Sequence, residues 1–360
     1  MNVKLNQHEL KALLCVVPKH RVSCEQRLKE LGYSESKIKF FKENYGYESA
    51  HISDENTFAS ELCKPALKAL FDEKLARKDE LDALIITTQT PDYFAPSVSS
   101  LVHKELNLPS STLCFDKVGY CTSFINSLFE TFLLLENPHF KKVALVCVSV
   151  KSKKINPKDS LNFVSDSASV LLLEKSQSPK PCFYKSELLS EFALDETKPT
   201  SAYKKGFSEF IITDNNLIFQ VVQQELSAFL DNFLSEFALE KEKITQFFFN
   251  SANYFFHTKL IQSLNLTPNL CFNAANSLFA NADCNNIPLN LCLAKNSMAS
   301  KTAYYGGGGV INTHNQPLPN QPQKDINFSN VLLTSFGTGL NISAMTLDLR
   351  TLSVAKICEL

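Results

Sequence analysis

Apolar positions along this chain follow two rhythms. Short, nearly unbroken runs of about four to eight apolar residues, bounded by turn residues, predict strands buried on both faces. Longer stretches repeat their apolar positions every three to four residues and predict helices packed on one side. Strands are expected at 11–17, 84–88, 112–115, 142–149, 169–173 and 182–188. Helices are expected at 25–31, 56–74, 96–106 and 123–135. The second half resembles the first in order, with a helix at 216–237, a strand at 246–249, a helix at 254–264, a short strand near 270–272 and a helix from about 287. Strands at 331–334, 340–348 and 353–357 close the chain. Such alternation predicts an α/β protein with helices layered on sheets.

Two stretches break the pattern. Residues 151–159 are basic and contain Pro157, and 303–324 run from a glycine tract into Asn/Gln/Pro-rich sequence without periodicity. Both are expected to be surface loops. The tract at 306–309 holds four of the ten glycines but lacks the Gly-Lys-Ser/Thr of a phosphate loop.

Bulk properties narrow the function classes. A length of 360 residues suits one large domain or two fused halves. The net charge of −1 gives no case for nucleic-acid binding. No apolar run reaches the ~18–20 residues of a membrane span, and residues 1–11 lack the features of a secretory signal. The eleven cysteines form no C-x-x-C pair and mostly sit inside apolar stretches. They read as reduced core residues of a cytoplasmic protein.

One cysteine stands apart. In Cys114-Phe115-Asp116-Lys117-Val118-Gly119-Tyr120-Cys121-Thr122-Ser123-Phe124, a strand and a glycine turn deliver Cys121 to the start of a very apolar helix. Unpaired N–H groups and the helix dipole at that end are expected to stabilise the thiolate and lower the thiol pKa. Cys121 is therefore the candidate nucleophile. Three other segments place polar groups at strand ends, where α/β folds commonly build their clefts. They are Phe247-Phe248-Phe249-Asn250-Ser251-Ala252-Asn253, then Asn281-Ala282-Asp283-Cys284-Asn285-Asn286-Ile287-Pro288-Leu289, and Ser335-Phe336-Gly337-Thr338-Gly339-Leu340. Taken singly, each asparagine is as readily a helix cap.

Together these segments resemble the β-ketoacyl-acyl-carrier-protein synthase III family of condensing enzymes, over nearly the whole chain. Leu84-Ile85-Ile86-Thr87-Thr88-Gln89-Thr90-Pro91-Asp92 is similar to the family's segment ahead of the nucleophile, and Phe115-Asp116 with Cys121–Phe124 to the nucleophile segment itself. Phe163-Val164-Ser165-Asp166-Ser167-Ala168-Ser169 resembles a Gly-Asp-Gly-Ala-Gly stretch with serines for most glycines. Residues 247–253 match Pro-His-Gln-Ala-Asn, Asn281 begins the match to Gly-Asn-Thr-Ser, and 336–339 match Phe-Gly-Gly-Gly.

The resemblance implies a thiolase-like five-layer αβαβα sandwich of two pseudo-related halves, 1–175 carrying Cys121 and 176–360 carrying Asn250, Asn281 and the Gly337–Gly339 turn. It implies a homodimer and ping-pong acyl transfer, with no cofactor or metal beyond acyl thioesters on acyl carrier protein or coenzyme A. Cys121 would take the acyl group, the backbone N–H groups of Cys121 and Thr338 would form the oxyanion hole, and Asn281 would hold the malonyl thioester carbonyl. The second step would be a decarboxylative condensation with malonyl-carrier protein, or transfer to an alcohol or amine. A non-catalytic carrier-protein-binding paralogue is the third alternative.

The chain also departs from the pattern. Asn250 stands at the histidine position and can donate a hydrogen bond but cannot exchange a proton near neutral pH. His257, seven residues on, reads more readily as a packing or surface histidine than as a substitute. Phe255 and Glu48 stand where arginines serve the carrier-protein entrance and coenzyme A, and there is no tryptophan to stack on adenine. Lys141, Lys142, Lys151, Lys153, Lys154 and Lys158 could form a basic rim for an acidic carrier protein, or a solvated loop.

Overall fold

A computed structural model of the chain describes residues 1–119, 121–155, 163–189, 215–298 and 326–360. The expected loop at 303–324 and Lys158 lie outside the described residues. In chain order the first elements are β1 (Asn2–Gln7), β2 (Glu9–Val17), β3 (Arg21–Ser23), α1 (Cys24–Glu30), α2 (Glu35–Tyr45), β4 (Ser49–His51), α3 (Ala59–Asp72), β5 (Ala83–Thr88), α4 (Val98–Leu106), β6 (Leu113–Val118), α5 (Ser123–Glu136), β7 (Lys142–Ser149) and β8 (Ser167–Glu174). Then come β9 (Lys180–Leu188), α6 (Asn215–Glu236), β10 (Gln246–Phe249), α7 (Tyr254–Ser263), α8 (Ala275–Phe279), α9 (Asn286–Met298), β11 (Val331–Gly337), β12 (Asn341–Leu347) and β13 (Val354–Glu359).

Two mixed sheets carry the fold, one ordered β13-β2-β8-β7-β5-β6 and the other β1-β9-β12-β11-β10. The chain ends cross over. β1 pairs with β9 in the second sheet, and β13 pairs with β2 in the first.

The layering follows from the alternation of side chains along each strand. On β2, Leu13, Cys15 and Val17 face a central core, whereas Ala12, Leu14 and Val16 face α3 and α4. On β10, Phe248 faces the central core, while Phe247 and Phe249 pack with Phe229 and Phe233 of α6 and Leu260 of α7. Between the sheets lie α5, through Phe124, Leu128 and Phe132, and α9, through Ile287, Leu291 and Cys292. The order helix, sheet, helix, sheet, helix is the five-layer αβαβα sandwich. Helix α5 is central because nine of its residues are buried, and the hydroxyl of Thr131 bonds back to the Ser127 carbonyl at 2.8 Å.

Departures from the expected elements are local. Residues 270–272 form no strand. Pro268–Leu270 make a 3-10 turn, and one bridge joins Cys271 to Phe247. No helix of the described residues is long and apolar enough to cross a membrane.

Candidate active site

The Cys121 segment is pinned between glycines. A Cβ on Gly119 would fall 2.5 Å from Ser123 Cβ and 3.2 Å from Thr87 Oγ1, so the turn closes onto β5 and α5 only without a side chain. A Cβ on Gly337, at the end of β11, would fall 2.8 Å from Cys121 Cβ and 3.3 Å from its Sγ. The β11–β12 hairpin, whose turn begins at Thr338, therefore touches the nucleophile. Asn250 continues β10 through a bond from its N–H to the Thr334 carbonyl at 3.0 Å. Its Nδ2 donates to the Cys121 carbonyl at 2.9 Å, which fixes the orientation of the amide and leaves Oδ1 buried without a partner among the described residues.

Asn281 lies where the chain enters α9. Its Oδ1 accepts from Asp283 N and from Asn286 Nδ2, both at 3.0 Å. That leaves Nδ2 as its free-facing donor group, with no acceptor among the described residues. Asn281 reaches the nucleophile through Asp283, whose Oδ1 accepts from Cys121 Sγ at 3.2 Å. Two of the serines in the 163–169 segment are used as supports. Ser165 Oγ accepts from His51 N at 2.8 Å, and Ser167 Oγ accepts from Asn285 Nδ2 at 3.0 Å. Asp166 between them is buried and accepts from Ser53 N, Ser152 N and Ser152 Oγ.

The thiol differs from expectation. Burial pushes the Cys121 pKa well above the usual thiol range, and the carboxylate of Asp283 pushes it further. Lys151 works in the opposite direction and is outweighed. Cys121 lies two residues before the first residue of α5. A partial charge at a helix end does not offset both desolvation and a full carboxylate in contact.

Asp283 and Lys151 were not legible as site residues. Lys151, expected on a basic rim, is buried and sits 3.8 Å from Asp283 Oδ1. Lys142 is likewise engaged, with Glu80 and Glu174, each at 2.9 Å. The basic rim is thus reduced in the described residues. Glu48 and Phe255 are exposed.

His257 is a packing residue. It is 3% exposed, its Nδ1 lies 3.2 Å from Ser251 Oγ, and its Nε2 lies 3.3 Å from the Cys271 carbonyl. Burial pulls its pKa down to about 4 from 6.5. The unfolded chain therefore takes up a proton first as pH falls. Stability from neutral His257 is complete above about pH 6.5 and is lost towards about pH 4. The loss runs at about 1.4 kcal/mol per pH unit, about 3 kcal/mol in all. His8 and His51 are depressed in the same direction by burial. The difference between wild type and His257→Gln in urea unfolding across this window isolates the His257 share, and the variant is expected to show the shallower acid slope.

A Campylobacter jejuni protein provisionally named 3-oxoacyl-[acyl-carrier-protein] synthase 3 is 32% identical over 180 residues, 49% of this chain and 50% of that protein. The β-ketoacyl-[acyl-carrier-protein] synthase III of Ehrlichia canis is 25% identical over 213 residues, 58% of this chain and 66% of that protein. The chain is related to the β-ketoacyl-acyl-carrier-protein synthases III. The match spans about half the length of the first of these relatives. No protein-family model matches the chain. The 3-oxoacyl-(acyl-carrier protein) synthase structure from Burkholderia xenovorans superposes with a TM-score of 0.82 over 100% of this chain and 99% of that one, at 19% identity. OleA of Xanthomonas campestris superposes with a TM-score of 0.75 over 95% and 97%, at 16% identity. These likenesses establish the thiolase-type fold that the layers display.

Proposed function

We propose that the protein is a synthase-III-type acyltransferase in which Cys121 accepts an acyl group from an acyl thioester and passes it to a second substrate. One observation carries the reading. The ends of β10 and β11 and the turn before α9 converge on Cys121, which itself follows β6 of the other sheet, so that Gly337, Asn250 and Asp283 all touch it. The names of the relatives point the same way. In this reading the N–H groups of Cys121 and Thr338 receive the oxyanion, Asn281 offers Nδ2 to the incoming carbonyl, and acyl carrier protein delivers the acyl group. The reading includes a reducing cytoplasm, which suits eleven free cysteines. It also includes a homodimer. β6 is an edge strand that leaves Leu113, Phe115 and Val118 exposed, as an edge awaiting a partner does.

Asn250 favours an acceptor other than malonyl-carrier protein. Its Nδ2 is already turned to the Cys121 carbonyl, so it is not offered to the enolate oxygen that loss of carbon dioxide would create. Intact mass after incubation with acyl-carrier-protein thioesters tests the reading. The expected result is one acyl adduct on Cys121, absent from Cys121→Ala. Without an adduct, the enzyme reading falls and a carrier-binding role remains. On adding malonyl-carrier protein to the acylated protein, no carbon dioxide is expected. Release with a β-ketoacyl product assigns condensation instead.

A further inference from the structure

Asp283 is an acid in a demanding position. It is 1% exposed, and its backbone has φ +56°, a left-handed conformation that strains a residue bearing a Cβ. Its carboxylate is ringed by hydrogen donors from separate parts of the chain. Gln89 Nε2 donates to Oδ2, and Ser149 Oγ donates to the same oxygen at 3.4 Å. Lys151 Nζ lies 3.8 Å from Oδ1, and Cys121 Sγ donates to Oδ1 at 3.2 Å. A carboxylate accepts from all of these at once. Gln89, Ser149 and Lys151 suffice to hold a buried acid in place. They do not account for its contact with the nucleophile's S–H.

We propose that Asp283 is the general base for Cys121, a catalytic residue of the acyl transfer on whose reading this inference rests. As Cys121 Sγ attacks the acyl carbonyl carbon, its proton passes to Asp283 Oδ1. The new S–C bond forms, and the C–S bond to the carrier breaks. The carrier sulfur leaves with the electron pair and takes the proton back from Asp283. Lys151 Nζ, 3.8 Å from Asp283 Oδ1, lies where it offsets the negative charge as it moves between carboxylate and sulfur. Because the resting thiol is protonated, the proton must leave as the S–C bond forms, so a base in contact is needed. Among the described residues, the titratable groups facing the pair are Lys151, Cys284 and, behind Cys284, Cys147.

The test sets acylation against alkylation. Single-turnover acylation by an acyl-N-acetylcysteamine thioester is followed by intact mass, and iodoacetamide labelling of Cys121 by peptide mass, in wild type and Asp283→Asn. The asparagine keeps the shape and tolerates the backbone. Acylation is expected to slow by about a hundredfold. Alkylation needs only thiolate, so loss of the neighbouring carboxylate is expected to bring its onset to lower pH. Equal acylation rates overturn the proposal, as does a parallel slowing of both reactions, which marks a displaced Cys121. Wild type alone gives a second reading. Acylation is expected to stay level between about pH 6 and about pH 9 while alkylation climbs, and a parallel climb overturns the proposal. An unacylated wild type overturns the acyl-transfer reading together with this inference, whereas wild-type rates in Asp283→Asn overturn the inference alone.

Discussion

Gly337→Ala is expected to slow acylation of Cys121 by about a hundredfold or more while the chain stays folded. The added Cβ falls 2.8 Å from Cys121 Cβ, 3.3 Å from Sγ and 3.6 Å from the backbone N. Two of those atoms belong to the backbone or its first carbon, so no rotamer change relieves the contact. Either the β11–β12 hairpin or the Cys121 segment must move by several tenths of an ångström. Each movement changes the spacing between the Cys121 and Thr338 N–H groups, which the reading above assigns to one oxyanion. Gly32→Ala is the control. Gly32 has φ +79° and, among the described residues, nothing within 4 Å of its Cβ position, so that variant is strained without touching the site. Single-turnover acylation is expected to be lost in the first variant and kept in the second. Equal rates in Gly337→Ala and wild type refute the packing argument.

The sheets were legible because most of their strands are buried on both faces, which writes an unbroken apolar run into the sequence. β2, β5, β7 and β11 show it plainly. β1 does not, because four of its six residues are polar. What holds it is the antiparallel ladder to β9 from Asn2 to Gln7, and Gln7, which donates to the Asp348 carbonyl at 2.6 Å and accepts from the Asp348 N–H at 2.7 Å. No local pattern announces a partner at the far end of the chain. The short strand expected near 270–272 failed for a local reason, since Pro268 starts a 3-10 turn there instead.

The site divides in the same way. Cys121, Asn250 and Asn281 stand at strand or helix ends, and their positions followed from local sequence. The protonation of Cys121 did not. A helix N-terminus two residues away argues for a thiolate, while the carboxylate that argues against it arrives from the turn before α9. Lys151 was hidden by its company, because four residues of a basic run look alike and only Asp283 selects one of them for burial. Contacts between segments distant in sequence decide the charge state of this site, whereas periodicity decides its scaffold.

Phe248→Ala is expected to cost about 4 kcal/mol and to lower the melting temperature by roughly 5–10 °C. Phe248 is fully buried in the central core, with the ring of Phe272 at 6.2 Å. Its neighbours Phe247 and Phe249 point to the outer layer of α6 and α7. Alternation along β10 places Asn250 on the same side as Phe248, one step beyond the strand end. The cavity left by the ring thus opens directly behind the amide that holds the Cys121 carbonyl. Phe247→Ala removes an equal ring from the opposite face and should cost similar stability. Two measurements then separate core from site. Both variants are expected to unfold at lower urea with unchanged slope, but acylation of Cys121 should fall only in Phe248→Ala. A matched loss of acylation in both variants would show that Asn250 is held by β10 as a whole and not by the packing on its inner face.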